Sequence, residues 1–256
     1  MAKPTVCVAT LTLGTVRVQQ RDYLLRLAQD PRYTVIGISS GAKPVTNNRC
    51  KVWRHFRNTP DLDYLVMMDE DVVPKGNVLD YIAPDRHIIC FPCPIWKGDE
   101  GGWPICWNFR LRDENGNIVK DAVVMPPGEL LEASDAGTGC MLFSRQVAME
   151  PALRDGFYEV VDEDGVTTLG HDLAFTERAR ELGYKIWVAL DCPCSHYHVV
   201  DLLELERRKG HIGHQTGPGV RAAEGAGPHR DRQAAGGPPG PAVGPGQPEP
   251  GTAYWG

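Results

Sequence analysis

Two aspartates close an apolar run: Tyr64-Leu65-Val66-Met67-Met68 leads straight into Asp69-Glu70-Asp71. A short unbroken apolar run fits a strand covered on both faces, as in a parallel sheet between helices. In such sheets ligands collect beyond the carboxyl ends of the strands. If the chain stays extended through Glu70, Asp69 and Asp71 point to one side, because side chains alternate with period two. Two carboxylates so placed can hold Mg²⁺ or Mn²⁺ and leave coordination positions for a diphosphate. The plainer alternative is an acidic turn, with Asp71 capping a helix that Pro74 introduces.

Further along, Ser134-Asp135-Ala136-Gly137-Thr138-Gly139 precedes the strand-like Cys140-Met141-Leu142-Phe143. Its glycines either admit a ligand close to the backbone or simply make a turn. Gly170-His171-Asp172 opens a helical stretch from Leu173 to Leu182, with Phe175, Ala179 and Leu182 on one face and Gly183 as the expected C-terminal cap. Asp172 stands where an N-cap would, so capping alone would account for it. Of the eight cysteines, Cys90, Cys93, Cys192 and Cys194 lie in pairs, the second pair just ahead of His196 and His198. Thiolates and imidazoles are zinc's usual ligands, which leaves a non-catalytic zinc-stabilised binding module as a competing reading. The spacing argues against it, since Cys-x-Cys is poor and no second Cys-x-x-Cys exists.

The elements that must position these residues follow from periodicity. Thr5 to Leu11 reads as a first buried strand. A helix over Gln19 to Gln29 repeats Tyr23, Leu24, Leu27 and Ala28 at helical spacing. Tyr33 to Ile38 is a second strand, and Val45 to Phe56 a second helix carrying Asn47, Asn48 and Arg49 near its start. The acidic stretch is then the third strand. This alternation within about seventy residues marks an α/β unit with a mostly parallel sheet. A short helix around Val78 to Ile82, a strand His87 to Phe91 and a last strand Tyr184 to Leu190 extend it. Pro92 to Trp107, rich in Trp and Pro, reads as an ordered aromatic loop. Asn115-Gly116 between Phe109–Arg112 and Ile118–Lys120 signals a hairpin.

With 256 residues and a net charge of −6, the chain accommodates one sizeable domain, or a domain and a tail, and no long basic surface for nucleic acid. No apolar stretch is long enough to span a bilayer, and no secretory signal peptide is visible. A soluble, cytoplasmic protein is expected. From Gly213 the last 44 residues hold 12 of the 28 glycines and 8 of the 21 prolines, with few large aliphatics. Such a segment cannot offset its ordering entropy and is expected to be a disordered tail, residues 213–256, after a domain of residues 1–212.

Taken together, the motifs between Val6 and Asp201 resemble the GT-A glycosyltransferase superfamily, in particular family 2-like enzymes of bacteria and phages. Thr10, Asn48-Arg49, Asp69-Glu70-Asp71, Gly137 to Leu142, Gly170-His171-Asp172 and His196 carry the resemblance through their order and placement. It implies a Rossmann-like GT-A domain. It further implies that Asp69 and Asp71 form an Asp-x-Asp motif binding Mn²⁺ or Mg²⁺ and, through it, a nucleotide-sugar diphosphate. A UDP-sugar is the expected donor; the acceptor is a glycan, a protein or a modified nucleotide. Asp71 is implied as the direct ligand and Asp69 as a contact to ribose or sugar. His196, or His198 in the alternative register, would complete the metal site. Thr10, Asn48 and Arg49 fall on the nucleotide side, and Gly137, Thr138 and Gly139 on the sugar side. Asp172 matches the general base of inverting members, with His171 where Glu is more usual. The nearest competing enzyme class, sugar-phosphate nucleotidyltransferases, would want a glycine-rich loop after the first strand, where Gly14 stands alone.

Overall fold

The computed structural model describes residues 2–12, 14–96, 105–112, 115, 117–119, 130–197 and 253–255. The chain separates into two compact units, Met1–Val199 with Gly251–Gly256, and Val200–Pro250; every element below belongs to the first. Apart from 253–255, the expected tail lies outside the described residues.

The first five elements are β1 (Thr5–Leu11), α1 (Val18–Ala28), β2 (Thr34–Ser40), α2 (Val45–Asn58) and β3 (Tyr64–Asp69). β1 lies between β2 and β3 and is parallel to both. Alternation along the strands divides their side chains between two helices. Val6, Val8, Val66 and Met68 pack with Tyr23, Leu24 and Leu27 of α1. On the other face, Cys7, Ala9, Leu11, Leu65 and Met67 pack with Val52, Trp53 and Phe56 of α2. This two-sided covering is why Val6–Ala9 and Leu65–Met68 are apolar throughout.

The chain then turns at Glu70 and Asp71 into the short β4 (Val72–Pro74) and a 3₁₀ turn Val78–Tyr81. Asp71 is therefore not a helix cap. Asn77 takes that role, its side chain accepting from Leu79 N–H. β5 (Ile88–Cys90) follows. The Trp-rich segment, expected as a loop, instead pairs β6 (Pro94–Trp96) with β7 (Ile105–Trp107) in an antiparallel ladder. β8 (Phe109–Arg112) and β9 (Ile118–Val119) form the expected hairpin, Arg112 opposite Ile118. β10 (Leu130–Ala133), β11 (Asp135–Ala136), β12 (Cys140–Ser144) and the short α3 (Arg145–Met149) come next. A small hairpin, β13 (Val160–Val161) and β14 (Thr167–Leu169), precedes α4 (His171–Glu181). β15 (Ile186–Ala189), β16 (Cys194–His196) and β17 (Ala253–Trp255) complete the set.

Among the described residues the main sheet has the order β10-β15-β5-β12-β3-β1-β2-β17. β2, β1, β3, β5 and β15 share one direction, and β12 runs against β3 and β5 between them. The result is a mixed α/β sheet whose parallel strands end on one edge. No helix among the described residues is long and apolar enough to cross a membrane.

An aromatic cluster fixes α2 against α4. Trp53 meets Phe175 edge-on at 5.1 Å and Phe143 at 5.4 Å, while Phe157 stacks on Phe175 at 4.5 Å. Each such pair contributes about 0.5–1.5 kcal/mol beyond its area burial. Trp53 also donates its indole N–H to Leu153 O at 2.9 Å. This packing matters beyond stability, because α2 bears Arg49 and α4 begins at His171 and Asp172.

Candidate functional site

Bonds from several elements hold the acidic turn at the carboxyl end of β3. Asp69 N–H donates to Gly139 O at 2.9 Å, and Glu70 N–H to Leu11 O at 3.1 Å. The side-chain amide of Gln20, wholly buried in α1, donates to Asp69 O at 2.7 Å. Thr12 Oγ1 donates to the Glu70 carboxylate. Because the chain turns at Glu70 rather than staying extended, alternation does not set the direction of the two aspartates; their partners do.

Asp69 faces Arg49, whose Nη2 lies 2.8 and 2.9 Å from its two oxygens. Burial outweighs this partner and pushes the Asp69 carboxyl up to about 6, with the Asp71 charge adding to the rise. Asp71 faces His196, Oδ2 to Nε2 3.4 Å. His196 is delivered by two three-residue strands, β16 on β4, with His196 opposite Val72 and Tyr197 N–H on Asp71 O at 2.8 Å. Its Nδ1 lies 2.7 Å from Pro94 O, so Nδ1 must be the donor. Asp71 raises the pKa of the ring above its ordinary value, against the opposing pull of burial.

Asp69, Glu70, Asp71, His196, Asn48, Thr12, Leu11 and Lys43 line one cleft of about 450 Å³. Thr10, by contrast, is wholly buried inside β1, and Thr12 stands at the cleft in its place. Asn48 is held by its amide to Ser40 O at 2.7 Å. Thr138 is buried, its hydroxyl without a partner among the described residues. Gly139 joins the site through its carbonyl. His198 lies outside the described residues.

Asp172 is not the N-cap. Gly170 holds that position in extended backbone, His171 begins α4, and Asp172 sits in the first turn, where its charge suits the helix dipole. Its Oδ1 accepts from Leu173 N–H at 2.9 Å. Its Oδ2 lies 3.1 Å from where a β-carbon on Gly137 would be, so a side chain there would crowd the carboxylate. Asn108 braces the same loop, accepting from Cys93 N–H at 2.8 Å and donating to Gly137 O at 2.9 Å. His171 bridges the two halves of the site: its Nε2 lies 3.0 Å from Arg49 Nη1.

The donor set bears on the metal question. Among the described residues no three His, Cys, Asp or Glu side chains are already gathered for a cation. Asp71 and His196 are the pair that meet, and the Nδ1–H bond to Pro94 leaves Nε2 as the coordinating nitrogen of the neutral ring. Metal-bound histidines are usually oriented in this way. Mg²⁺ and Mn²⁺ favour oxygen ligands, Mg²⁺ usually one or two carboxylates completed by substrate phosphates, so the Asp71 carboxylate fits such an ion, with His196 Nε2 beside it as a nitrogen donor. The cysteines offer less. Among the described residues no three of them, alone or with a histidine or carboxylate, gather around one point as a zinc site needs.

No protein-family model and no curated protein matches the sequence. Solved structures give faint likenesses. A197 from STIV is 16% identical over 77% of this chain and 86% of its own, with a TM-score of 0.47. A Drosophila β1,4-galactosyltransferase 7 mutant, in complex with manganese, UDP-Gal and xylobiose, is 12% identical over 77% of this chain and 71% of its own, with a TM-score of 0.43. The inositol-1-phosphate CTP transferase from T. maritima is 12% identical over 82% of this chain and 96% of its own, also with a TM-score of 0.43.

Proposed function

We propose that the protein transfers a sugar from a nucleotide-diphosphate sugar, a UDP-sugar in the first instance, to an acceptor hydroxyl, with dependence on Mn²⁺ or Mg²⁺. The observation that carries this reading is the convergence on one cleft, at the carboxyl end of β3, of Asp71 beside His196 and of Asp69, which the buried Arg49 holds from behind the lining. Asp71 and His196 would hold the cation. When bound, it would offset the charge that builds on the departing nucleoside diphosphate. Arg49 adds fixed positive charge at the same end of the sheet, already oriented before substrate arrives. Asp69, held by Arg49, is the candidate contact to ribose or sugar, with Asn48 and Thr12 further along the wall and Thr10 behind it.

Asp172 is the candidate general base. Its Oδ1 is occupied by a backbone N–H, which leaves Oδ2, beside Gly137, to take the acceptor proton. Gly137 supplies the space, Thr138 a buried hydroxyl and Gly139 the carbonyl that ties this loop to the acid turn. Attack assisted from this position corresponds to an inverting transfer.

Calorimetry with a panel of nucleotide sugars, with and without Mn²⁺, tests the site. Wild type should bind one of them only with the cation, and Asp71→Ala should lose that dependence. Undiminished metal-dependent binding by the variant would refute the assignment. Asp172→Asn should bind donor normally and transfer nothing. Formation of a nucleotide sugar from a nucleoside triphosphate and a sugar phosphate would point instead to nucleotidyl transfer.

A further inference from the structure

The hydrogen bonds through His171 run in one direction only. Arg49 Nη1 lies 3.0 Å from Nε2, and a guanidinium can only donate, so Nε2 must be the accepting nitrogen. The ring proton then sits on Nδ1, which faces Thr46 Oγ1 at 3.2 Å. The Thr46 hydroxyl passes its own proton onward to Glu159 Oε1 at 3.1 Å, and Thr167 donates to the other oxygen of that carboxylate at 3.0 Å. A file of donors and acceptors thus runs from the β13–β14 hairpin to Arg49 and on to Asp69.

We propose that His171 is a positioning residue: a neutral imidazole, braced by Thr46 and Glu159, that holds the Arg49 guanidinium against Asp69. Two observations support it. Arg49 is nearly fully buried, and its Nε has no partner among the described residues, so Nη1 to His171 and Nη2 to Asp69 are the contacts that orient it. Burial and the Arg49 charge, outweighing Asp172 and Glu159, keep the ring below its ordinary pKa and therefore neutral at pH 7. A neutral acceptor leaves the arginine's charge directed at Asp69, whereas a carboxylate at 171 would compete for it. With both ring nitrogens engaged, His171 has no lone pair for an acceptor hydroxyl, which separates its task from that of Asp172.

The consequence for binding rests on the donor-site reading above, but the hydrogen-bond file belongs to the ligand-free protein and is tested there. Nitrogen-15 NMR of the ligand-free wild type should show the His171 ring protonated at Nδ1 and bare at Nε2. His171→Phe keeps a ring and removes the acceptor; His171→Gln restores an acceptor through its amide oxygen. The Arg49 guanidinium protons should broaden in the Phe variant and sharpen again in the Gln variant. Titration with Mn²⁺ and UDP should weaken about tenfold in the Phe variant, the scale of one charge-assisted bond, and recover in the Gln variant, at matched melting temperatures. A ring protonated at Nε2 in wild type, or unchanged Arg49 signals in the Phe variant, would overturn the proposal. If wild type fails to bind Mn²⁺ and UDP, the donor-site reading falls, and the NMR alone decides the positioning role. Should the Phe variant not fold, the tautomer of the wild-type ring and the signals of the Gln variant still decide it.

Discussion

Gly137→Ala is the sharpest probe of how Asp172 is placed. The φ of Gly137 is not in the left-handed region, so alanine can adopt the backbone without strain. The new methyl would meet Asp172 Oδ2 at 3.1 Å, Asn108 O at 3.2 Å and Asn108 Cβ at 3.3 Å, against ordinary contact from 3.4 Å. The carbonyl of Asn108 is tied into the fold by Gly137 N–H at 2.5 Å. The carboxylate is the freer neighbour, and it should yield by about 0.3 Å, taking van der Waals contact as the limit. A misplacement of about 1 Å costs on the order of 100-fold in rate, so about 0.3 Å should cost roughly fourfold if the logarithm scales with distance. Overpacking should also cost about 1–3 kcal/mol of stability. Single-turnover transfer measured well below the melting temperature, beside calorimetric donor binding, separates the two effects. Gly183→Ala is the control: at φ +89° alanine is strained there, its methyl meets nothing within 4 Å, and the site follows the carboxyl end of α4, away from Asp172 in the first turn. Both variants should melt lower, and only Gly137→Ala should transfer more slowly with donor affinity unchanged. Wild-type transfer by Gly137→Ala, or an equal loss in Gly183→Ala, would refute the reasoning.

Asn108→Ala should destabilise by about 2–4 kcal/mol in denaturant unfolding, because it strands Cys93 N–H and Gly137 O inside the protein. Asp30 predicts the acid limb of stability. Bonds from Arg32 and Asn77 hold its carboxyl well below the usual carboxylate range, Arg32 being the larger cause. Its folded pKa is thus lower than its unfolded one, so the stability it contributes is present above about pH 4 and is lost as pH falls below that. Asp30→Asn should therefore be less stable at neutral pH and show a shallower decline between pH 4 and 2 in urea titrations. An unaltered slope there would count against the sign of this shift.

The strand–helix alternation of the first seventy residues was open to sequence reasoning because both faces of β1 and β3 are covered, which leaves uninterrupted apolar runs. The acid motif announced itself by ending one of those runs. What pairs with those acids did not. His196 reaches Asp71 through β4 and β16, two three-residue strands too short to carry a period. The Trp-rich segment reads as a loop in the sequence because β6 and β7 are equally short. A cap is the plainer reading of Asp172 beside that of general base, since type and position suit it; the extended backbone of Gly170 places the cap two residues earlier. Gln20 did leave a trace: it stands three, four and seven residues before Tyr23, Leu24 and Leu27, a polar residue on an apolar stripe. Asn108, a lone amide between Trp107 and Phe109, left none, since its role depends on which carbonyl the fold brings beside it.

The reversed strand β12 has a consequence for how this protein can change over time. Its amino end shares an edge with the carboxyl ends of β3 and β5, so the segment before it, with Gly137 and Gly139, borders the acid turn directly. Its other end hands the chain to Arg145 at the opposite edge, where that guanidinium ties down the carbonyls of Phe56, Thr59 and Leu62. One strand thus joins the rim that carries the acid turn to a rim where Arg145 gathers backbone carbonyls. Substitutions that strengthen the Arg145 rim can therefore raise stability without touching a residue of the acid turn.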